Sequence, residues 1–166
     1  MLPAMEAFPM ETLASNATYR HTRIRIATQH STEFIDLTRQ IEALVAQAAI
    51  QAGLVNIQSL HTTAAIVVNE HEPLLLDDFA ALLERSAPGN GPYQHDDVNL
   101  RAVNLLPGER PNGHAHCRAL LLSPSACLNV AHGRVQLGRW QRIFLAELDG
   151  PRTREISVLL VGVGEG

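Results

Sequence analysis

The sequence predicts an α+β domain with a largely antiparallel β-sheet. Segments with strand-like patterns predominate, two helical patterns occur early in the chain, and short turn signals separate the later strand segments. The chain has 166 residues, of which 46% are hydrophobic and 18% charged, as in an ordinary globular domain. We therefore expect one domain over residues 18–166, preceded by an irregular arm at residues 1–17, where no apolar period is found.

The first half of the domain begins with a predicted strand and a predicted helix. Arg23 and Arg25 alternate with isoleucines, and this period of two predicts a half-buried strand over residues 19–28. After Asp36, apolar residues recur three and four positions apart, which predicts a helix with Asp36 as its cap. We expect Gly53 to end this helix.

Two β-branched segments and a second helix are predicted next. Residues 54–60 and 63–68 are rich in β-branched and apolar side chains, so they are interpreted as a strand pair or as one long strand bent at His61. Pro73 suits the first turn of a helix, because proline lacks the N–H that this position leaves without a helical partner.

Residues 87–113 are predicted to form a long loop, interrupted by a short helix near residues 98–105. Four prolines and the turn signals Gly-Asn-Gly and Pro-Gly occur in this segment, and loops of this length are often functional. Four strands are expected after the loop, with turns at His132-Gly133 and Asp149-Gly150. The predicted strands cover residues 127–131, 134–137, 141–147 and 155–163.

Composition excludes several classes of function. All 13 basic residues are arginine, so the chain has neither a lysine for a Schiff base nor a P-loop lysine. A net charge of −4 and an aromatic content of 4% argue against nucleic acid as a partner. The sequence lacks a signal-peptide pattern and a membrane-span pattern, so we expect a cytoplasmic protein without membrane contact.

Cys117 and Cys127 lack the CxxC spacing and are expected to be buried and unpaired.

Three polar clusters could carry chemistry, at residues 61–78, 93–97 and 112–116. Histidines from these segments could together bind zinc, with a carboxylate or water as the last ligand. The acidic pair Asp96 and Asp97 could instead hold magnesium. Each cluster also has a plain structural interpretation, as surface histidines, hydrogen-bonded histidines or solvated acidic turns. His114 and His116 point to one side only in an extended chain, because in a helix they diverge by ~200°.

Taken in order, several motifs resemble those of the YjbQ-like family. The similarity covers about residues 18–164 and implies a compact α+β fold with an antiparallel sheet, assembled as a homotrimer. The motifs are His61-Thr62-Thr63-Ala64, Asn69-Glu70, Asp78-Phe79, Tyr93-x-His95-Asp96, Gly113-His114-Ala115-His116, and Gly133-Arg134 followed by Gly138-x-Trp140-Gln141.

The resemblance also implies a set of site residues. The histidines of the family motifs, expected as metal ligands, fall at His61, His95 and His116. The acidic motif positions, expected as catalytic residues, fall at Glu70, Asp78 and Asp96. Arg118 and Arg139 are the expected contacts for a phosphorylated substrate, and Arg139 stands where the family usually has threonine.

The activity that the resemblance implies is a weak, secondary thiamine-phosphate synthase reaction. A pyrimidine pyrophosphate would be joined to a thiazole phosphate, and a divalent ion such as Mg²⁺ would balance the charge of the released pyrophosphate. Two alternatives stay open at this point. One is a zinc-dependent hydrolase of a phosphorylated small molecule with Glu70 as its base. The other is a trimer that binds a metal or a ligand without turnover.

Overall fold

The computed structural model describes residues 17–164, so the irregular arm predicted at residues 1–17 lies outside the described residues except for its last position. The described part of the chain folds into strands and helices whose bounds are as follows. The strands are β1 (Ala17–Ala27), β2 (Glu33–Asp36), β3 (Ile50–Ser59), β4 (Ala64–Glu70), β5 (Ser125–Ala131), β6 (Arg134–Val135), β7 (Gln141–Glu147) and β8 (Thr153–Gly164). The helices are α1 (Thr38–Ala48), α2 (Pro73–Ser86) and α3 (Gly113–Leu121), with a short 3-10 helix at Gln94–Asp96.

The strands form two sheets in which every pairing is antiparallel, which confirms the predicted α+β class. The larger sheet has the order β1-β8-β3-β5-β6, and the smaller sheet has the order β2-β7-β4. The strands β3 and β4 were expected to pair or to form one bent strand. They instead lie in different sheets, because the chain turns through residues 60–63 and leaves the first sheet for the second.

The main core is formed by α1 together with the inner faces of both sheets. Alternate residues Ile156, Val158 and Leu160 of β8 are buried, as the period of two in a strand requires. Ile41 and Val45 of α1 lie four positions apart and are fully buried in the same cluster. This core holds the two sheets together, so the positions of their strand ends are fixed relative to one another.

The two early helices begin for the physical reasons that their sequences suggest. The N-cap residue of α1 is Leu37 and not Asp36 as predicted, but the carboxylate of Asp36 accepts a hydrogen bond from the Thr38 N–H at 2.8 Å, which stabilises the first turn of α1. Pro73 occupies the first turn of α2, as predicted, and the carboxylate of Glu72 accepts the N–H groups of the two residues that follow Pro73.

The helix α1 ends earlier than predicted, at Ala49 rather than Gly53. Ala49 adopts a left-handed conformation with φ of 53°, and its N–H bonds to the carbonyl of Ala46. Gly53 lies inside β3, where a Cβ atom would stand 2.1 Å from the carbonyl oxygen of Val161. Gly53 therefore allows the backbones of β3 and β8 to approach closely, and it does not end a helix.

The long loop differs from the expectation at two places. The helix expected near residues 98–105 does not form. Its apolar residues Val98, Leu100 and Val103 are exposed, so this segment has no packing contact that would stabilise a helix. The unexpected helix is α3, which begins at Gly113 where a Cβ atom would stand 2.4 Å from the Cβ of Tyr93.

Two further findings concern the cysteines and the membrane. Cys117 and Cys127 are unpaired, but they are exposed on α3 and β5 and not buried as predicted. Within residues 17–164, the helices are too short or too polar to cross a bilayer.

Candidate functional site

A polar cleft of about 430 Å³ lies where several strand ends meet. Because β3 ends where β8 begins, and β7 ends where β4 begins, the antiparallel registers bring four strand ends to one side of the molecule. The loop before α3 covers this side. The six cleft residues with ionisable nitrogen-containing side chains are His61, His95, His116, Arg101, Arg152 and Arg154.

His61 lies in the turn between β3 and β4 and is held there by the backbone of β8. Nε2 of its ring accepts a hydrogen bond from the Glu155 backbone N–H at 2.7 Å. The backbone N–H of His61 donates to the Ser59 hydroxyl at 3.3 Å. Burial lowers the pKa of His61, and the positive charge of Arg154 lowers it further. The imidazole is therefore neutral at neutral pH.

The rings of His95, on the 3-10 helix, and His116, on α3, are in contact at the edge of the cleft. Their ring centroids are 4.6 Å apart and the rings are inclined by 62°. Burial lowers the pKa of His116, and the neighbouring His95 lowers it further. Nε2 of His95 is buried and has no hydrogen-bond partner among the described residues. Two imidazolium rings at this distance would repel each other.

The α3 helix that carries His116 starts at a carboxylate. Oδ1 of Asp96 accepts the backbone N–H of Asn112 at 2.9 Å and that of Gly113 at 2.8 Å. A carboxylate at a helix N-terminus satisfies free N–H groups and interacts favourably with the helix dipole. Asp96 thus fixes α3 against the 3-10 helix, and with it the distance between His95 and His116.

Each of the three cleft arginines has a carboxylate partner. Arg101 contacts Glu109 with an Nη1–Oε1 distance of 3.1 Å, and Arg152 contacts Asp149 with an Nη2–Oδ2 distance of 2.5 Å. The side chain of Arg152 is 38% exposed and that of Arg101 is 13% exposed. Of these two arginines, Arg152 is therefore the one that a ligand reaches more readily.

Arg154 belongs to a buried network below the cleft. It forms an ion pair with Glu147, in which its Nε lies 2.6 Å from Oε2, and it donates from Nη2 to the carbonyl and hydroxyl oxygens of Thr63, both at 3.1 Å. Burial raises the pKa of Glu147, but hydrogen bonds from Arg154 and from the backbone outweigh it and lower that pKa to about 2. The network ties the ends of β7 and β8 to the turn that carries His61.

The other predicted site residues lie away from this cleft. Glu70 and Arg139 line a second, shallower cleft, where the Arg139 guanidinium lies 4.6 Å from the ring centroid of Trp140. Asp78 is exposed on α2. Arg118 is buried, where it pairs with Glu84 and donates to the Ala87 carbonyl at 2.9 Å. The structure thus brings His61, His95 and His116 together in one cleft, and Asp96 lies beside them. The other four predicted site residues lie elsewhere, namely Glu70, Asp78, Arg118 and Arg139.

The described residues do not fit a metal centre. Within residues 17–164, histidine, cysteine and acidic side chains form no group of three or more that could share one ion. Nε2 of His61 accepts a backbone N–H, and Oδ1 of Asp96 accepts two. A zinc ion requires ligand lone pairs directed at one point, and magnesium requires several oxygens. We therefore derive no chemical step through a metal.

Sequence reasoning missed several residues of the cleft and its support. Arg101, Arg152 and Arg154 belong to no local motif, although each lies only three to eight residues from its carboxylate partner. One signal was available, since Glu147 is the last residue of the apolar strand β7 and directly continues its apolar run. A charged residue at the buried end of such a strand requires an opposite charge from elsewhere in the chain.

The fold and the cleft define a class of small α+β proteins in which two antiparallel sheets present a histidine-lined polar cleft at their joined ends. The chain belongs to the UPF0047, YjbQ-like family, whose sequence profile matches residues 22–163. This match confirms the resemblance that the ordered motifs indicated.

Relatives and solved structures agree with this assignment. A UPF0047 protein of Methanothermobacter thermautotrophicus is 36% identical over 137 residues, which are 82% of this chain and 88% of that protein. UPF0047 protein YugU of Bacillus subtilis is 31% identical over 141 residues, covering 84% of this chain and 97% of that protein. The crystal structure of a YbjQ-like protein of unknown function from Sulfolobus solfataricus has a TM-score of 0.80 and 32% identity, and it covers 89% of this chain and 100% of that chain.

Proposed function

We propose that the cleft binds a small phosphorylated molecule and is the active site of an enzyme. The observation that carries the proposal is the juxtaposition of the His95–His116 pair with Arg101 and Arg152 in one cleft. Such a cleft combines groups that move protons with groups that bind anions, and both are needed for chemistry on phosphate esters.

Arg152 is the main phosphate contact in this proposal, and Arg101 is the second. A guanidinium presents several N–H donors in a plane and suits the oxygens of a phosphate. The contacts with Asp149 and Glu109 hold the two guanidinium groups in place before the ligand arrives. In a chain without lysine, arginine is the side chain that carries a permanent positive charge for this purpose.

The histidine pair supplies a proton acceptor. His116 has a lowered pKa, so its imidazole is neutral and can accept a proton from a substrate hydroxyl or from water. Once one ring is protonated, the positive charge opposes protonation of the other ring. His116 therefore takes one proton per turnover and returns it to the leaving group or to solvent.

The reaction that the family resemblance implies is the formation of thiamine phosphate. In that reaction a thiazole nitrogen forms a bond to the methylene carbon of the pyrimidine pyrophosphate, and the carbon–oxygen bond breaks. Pyrophosphate leaves with the electron pair, and Arg101 and Arg152 would stabilise its charge. The histidine pair favours a second reaction, hydrolysis of a phosphate ester, in which His116 accepts a proton from the attacking water.

One assay series tests these reactions. Purified protein is incubated with the pyrimidine pyrophosphate and the thiazole phosphate, and separately with simple phosphate monoesters, while thiamine phosphate and free phosphate are measured. Activity in either assay should fall at least tenfold in His116→Ala and remain in His30→Ala, which changes an exposed histidine outside the cleft. Activity that is unchanged in His116→Ala would contradict the proposal.

Binding is tested without turnover. We expect inorganic phosphate to bind in the cleft and the affinity to fall about tenfold in Arg152→Gln, because a charge-assisted hydrogen bond contributes about 1.5–3 kcal/mol. Arg134→Gln is the control, since Arg134 is exposed on β6 and outside the cleft. Tight binding without any turnover would favour the alternative of a ligand-binding protein.

We also propose a homotrimer in the cytoplasm, as the family resemblance implies. Leu120 and Leu121 at the end of α3 are 85% and 61% exposed, and contact between copies would remove such surface from water. Native mass spectrometry tests the assembly, and a monomer mass would contradict it.

A further inference from the structure

The hydrogen bond between His61 and the start of β8 determines which nitrogen of the imidazole carries the proton. A backbone N–H can only donate, so the Glu155 N–H, 2.7 Å from Nε2 of His61, requires a lone pair on that nitrogen. A neutral imidazole has one protonated nitrogen, and here it must be Nδ1. The backbone of β8 thus selects the Nδ1–H tautomer.

Nδ1 is the ring nitrogen left for a ligand. It makes no hydrogen bond to any residue within 17–164, and His61 lines the polar cleft together with Arg152. The turn is rigidly supported, because Thr63, two residues further on, accepts two hydrogen bonds from Arg154. The imidazole therefore presents a fixed N–H donor to whatever occupies the cleft.

We propose that His61 is a neutral hydrogen-bond donor whose Nδ1–H contacts an anionic oxygen of the bound ligand. The role rests on the proposed phosphate site, and it differs from the role of a metal ligand or a base. Both of those roles need an available lone pair, and in His61 one nitrogen is bonded to a proton and the other accepts the Glu155 N–H.

The three histidines of the cleft therefore have different roles. In the proposed function His116 accepts a proton, whereas His61 keeps its proton and stabilises negative charge. A neutral donor on a fixed backbone adds to the contact from Arg152 without adding charge to the cleft. It also gives the ligand a preferred orientation, because an oxygen must lie within hydrogen-bond distance of Nδ1.

Two substitutions separate the two nitrogens of His61. In His61→Asn the side-chain amide can place its NH₂ group near the position of Nδ1, and in His61→Gln the amide oxygen can accept the Glu155 N–H near the position of Nε2. Inorganic phosphate is the probe, and its affinity is measured by calorimetry. We expect His61→Asn to bind phosphate within about threefold of the unsubstituted protein, and His61→Gln to bind about tenfold more weakly. Equal phosphate affinity in the two variants would overturn the proposal.

The tautomer is measured directly by ¹⁵N NMR of the histidine rings in the unsubstituted protein, with His61→Asn used to assign the signals. A protonated Nδ1 and an unprotonated Nε2 are expected, and the opposite tautomer would overturn the proposal. This measurement does not depend on phosphate. An Nδ1–H tautomer in a protein that binds no phosphate would contradict the proposed function and confirm the tautomer of His61.

Discussion

Arg154 and Glu147 form an ion pair in which the two side chains are only 1% and 0% exposed. Burial of two charges costs several kcal/mol, so the pair is not by itself a strong source of stability. The structure satisfies the remaining hydrogen-bonding capacity, because Oε1 of Glu147 accepts the N–H groups of residues 148–150 and Oε2 accepts the Thr28 hydroxyl. The pair therefore fixes the geometry of three chain segments below the cleft.

Loss of one partner should destabilise the fold strongly. Arg154→Met leaves the Glu147 carboxylate buried without its cation, and we expect the free energy of unfolding to fall by about 3–5 kcal/mol. Urea denaturation measures this change. Arg39→Met is the control, since Arg39 is exposed on α1, and its effect should stay within about 0.5 kcal/mol. Similar losses in the two variants would contradict the importance of the buried pair.

The same carboxylate makes stability depend on pH. The pKa of Glu147 is about 2 in the folded protein, below its ordinary value of 4.5, so the folded state favours the ionised form. The resulting stability is complete above pH 4.5 and is lost as the pH falls toward 2, with a loss of about 2 kcal/mol by pH 3. Urea denaturation at pH 6 and pH 3 measures this loss. In Glu147→Gln the difference between the two pH values should be smaller by that amount, and an equal difference would refute the assignment.

Removal of the carboxylate at the start of α3 should cost about 1–2 kcal/mol of stability. In Asp96→Ala the N–H groups of Asn112 and Gly113 lose their acceptor. Asp97→Ala is a neighbouring control, because Asp97 is exposed and its carboxylate accepts the N–H of Asn99 without contacting the start of α3. Chemical denaturation measures both variants. An effect of Asp97→Ala as large as that of Asp96→Ala would contradict the role given to Asp96.

Gly53→Ala should be strongly destabilising, by at least about 2–3 kcal/mol. The added Cβ would stand 2.1 Å from the Val161 carbonyl oxygen and 2.6 Å from Cα of Gly162, and backbone atoms in the middle of a sheet cannot move away cheaply. At Gly89 the nearest atom to an added Cβ is 3.8 Å away, so Gly89→Ala should be nearly neutral. The shift in thermal midpoint distinguishes the two.

Metal content is expected to be far below one zinc per chain in freshly purified, tag-free protein. The reason is that Nε2 of His61 already accepts a hydrogen bond and the described residues hold no group of ligands for one ion. Elemental mass spectrometry of the protein, compared with the triple alanine variant of His61, His95 and His116, measures this. About one zinc per chain that disappears in the variant would contradict the expectation.

The sequence predicted those elements whose cause is local. Strand β7 was expected over residues 141–147 and has these bounds, because its apolar run is buried in the smaller sheet. Helix α2 follows from Pro73 at its first turn. In contrast, α3 begins with Gly113 and contains two histidines and a cysteine, so its propensity is weak and it depends on packing and on the carboxylate of Asp96.

The candidate site was predicted only in part, for a similar reason. The ordered motifs led to His61, His95 and His116, and these three line one cleft. Arg152 and Arg154 lie outside the motifs, and they reach the cleft because the start of β8 lies beside the end of β3, with Ser59 opposite Ile156. Pairing between such distant segments leaves no periodic pattern in a single sequence.

The position of β8 in the larger sheet has a consequence for synthesis of the chain. This strand lies between β1 and β3, so neither of these earlier strands gains that neighbour until residues 153–164 have left the ribosome. Until β8 has been made, each of these two strands has an unpaired edge that must be kept from other polypeptides. Arg23 and Arg25 on the exposed face of β1 are suited to this task, because charged side chains discourage association at an open edge before the sheet is complete.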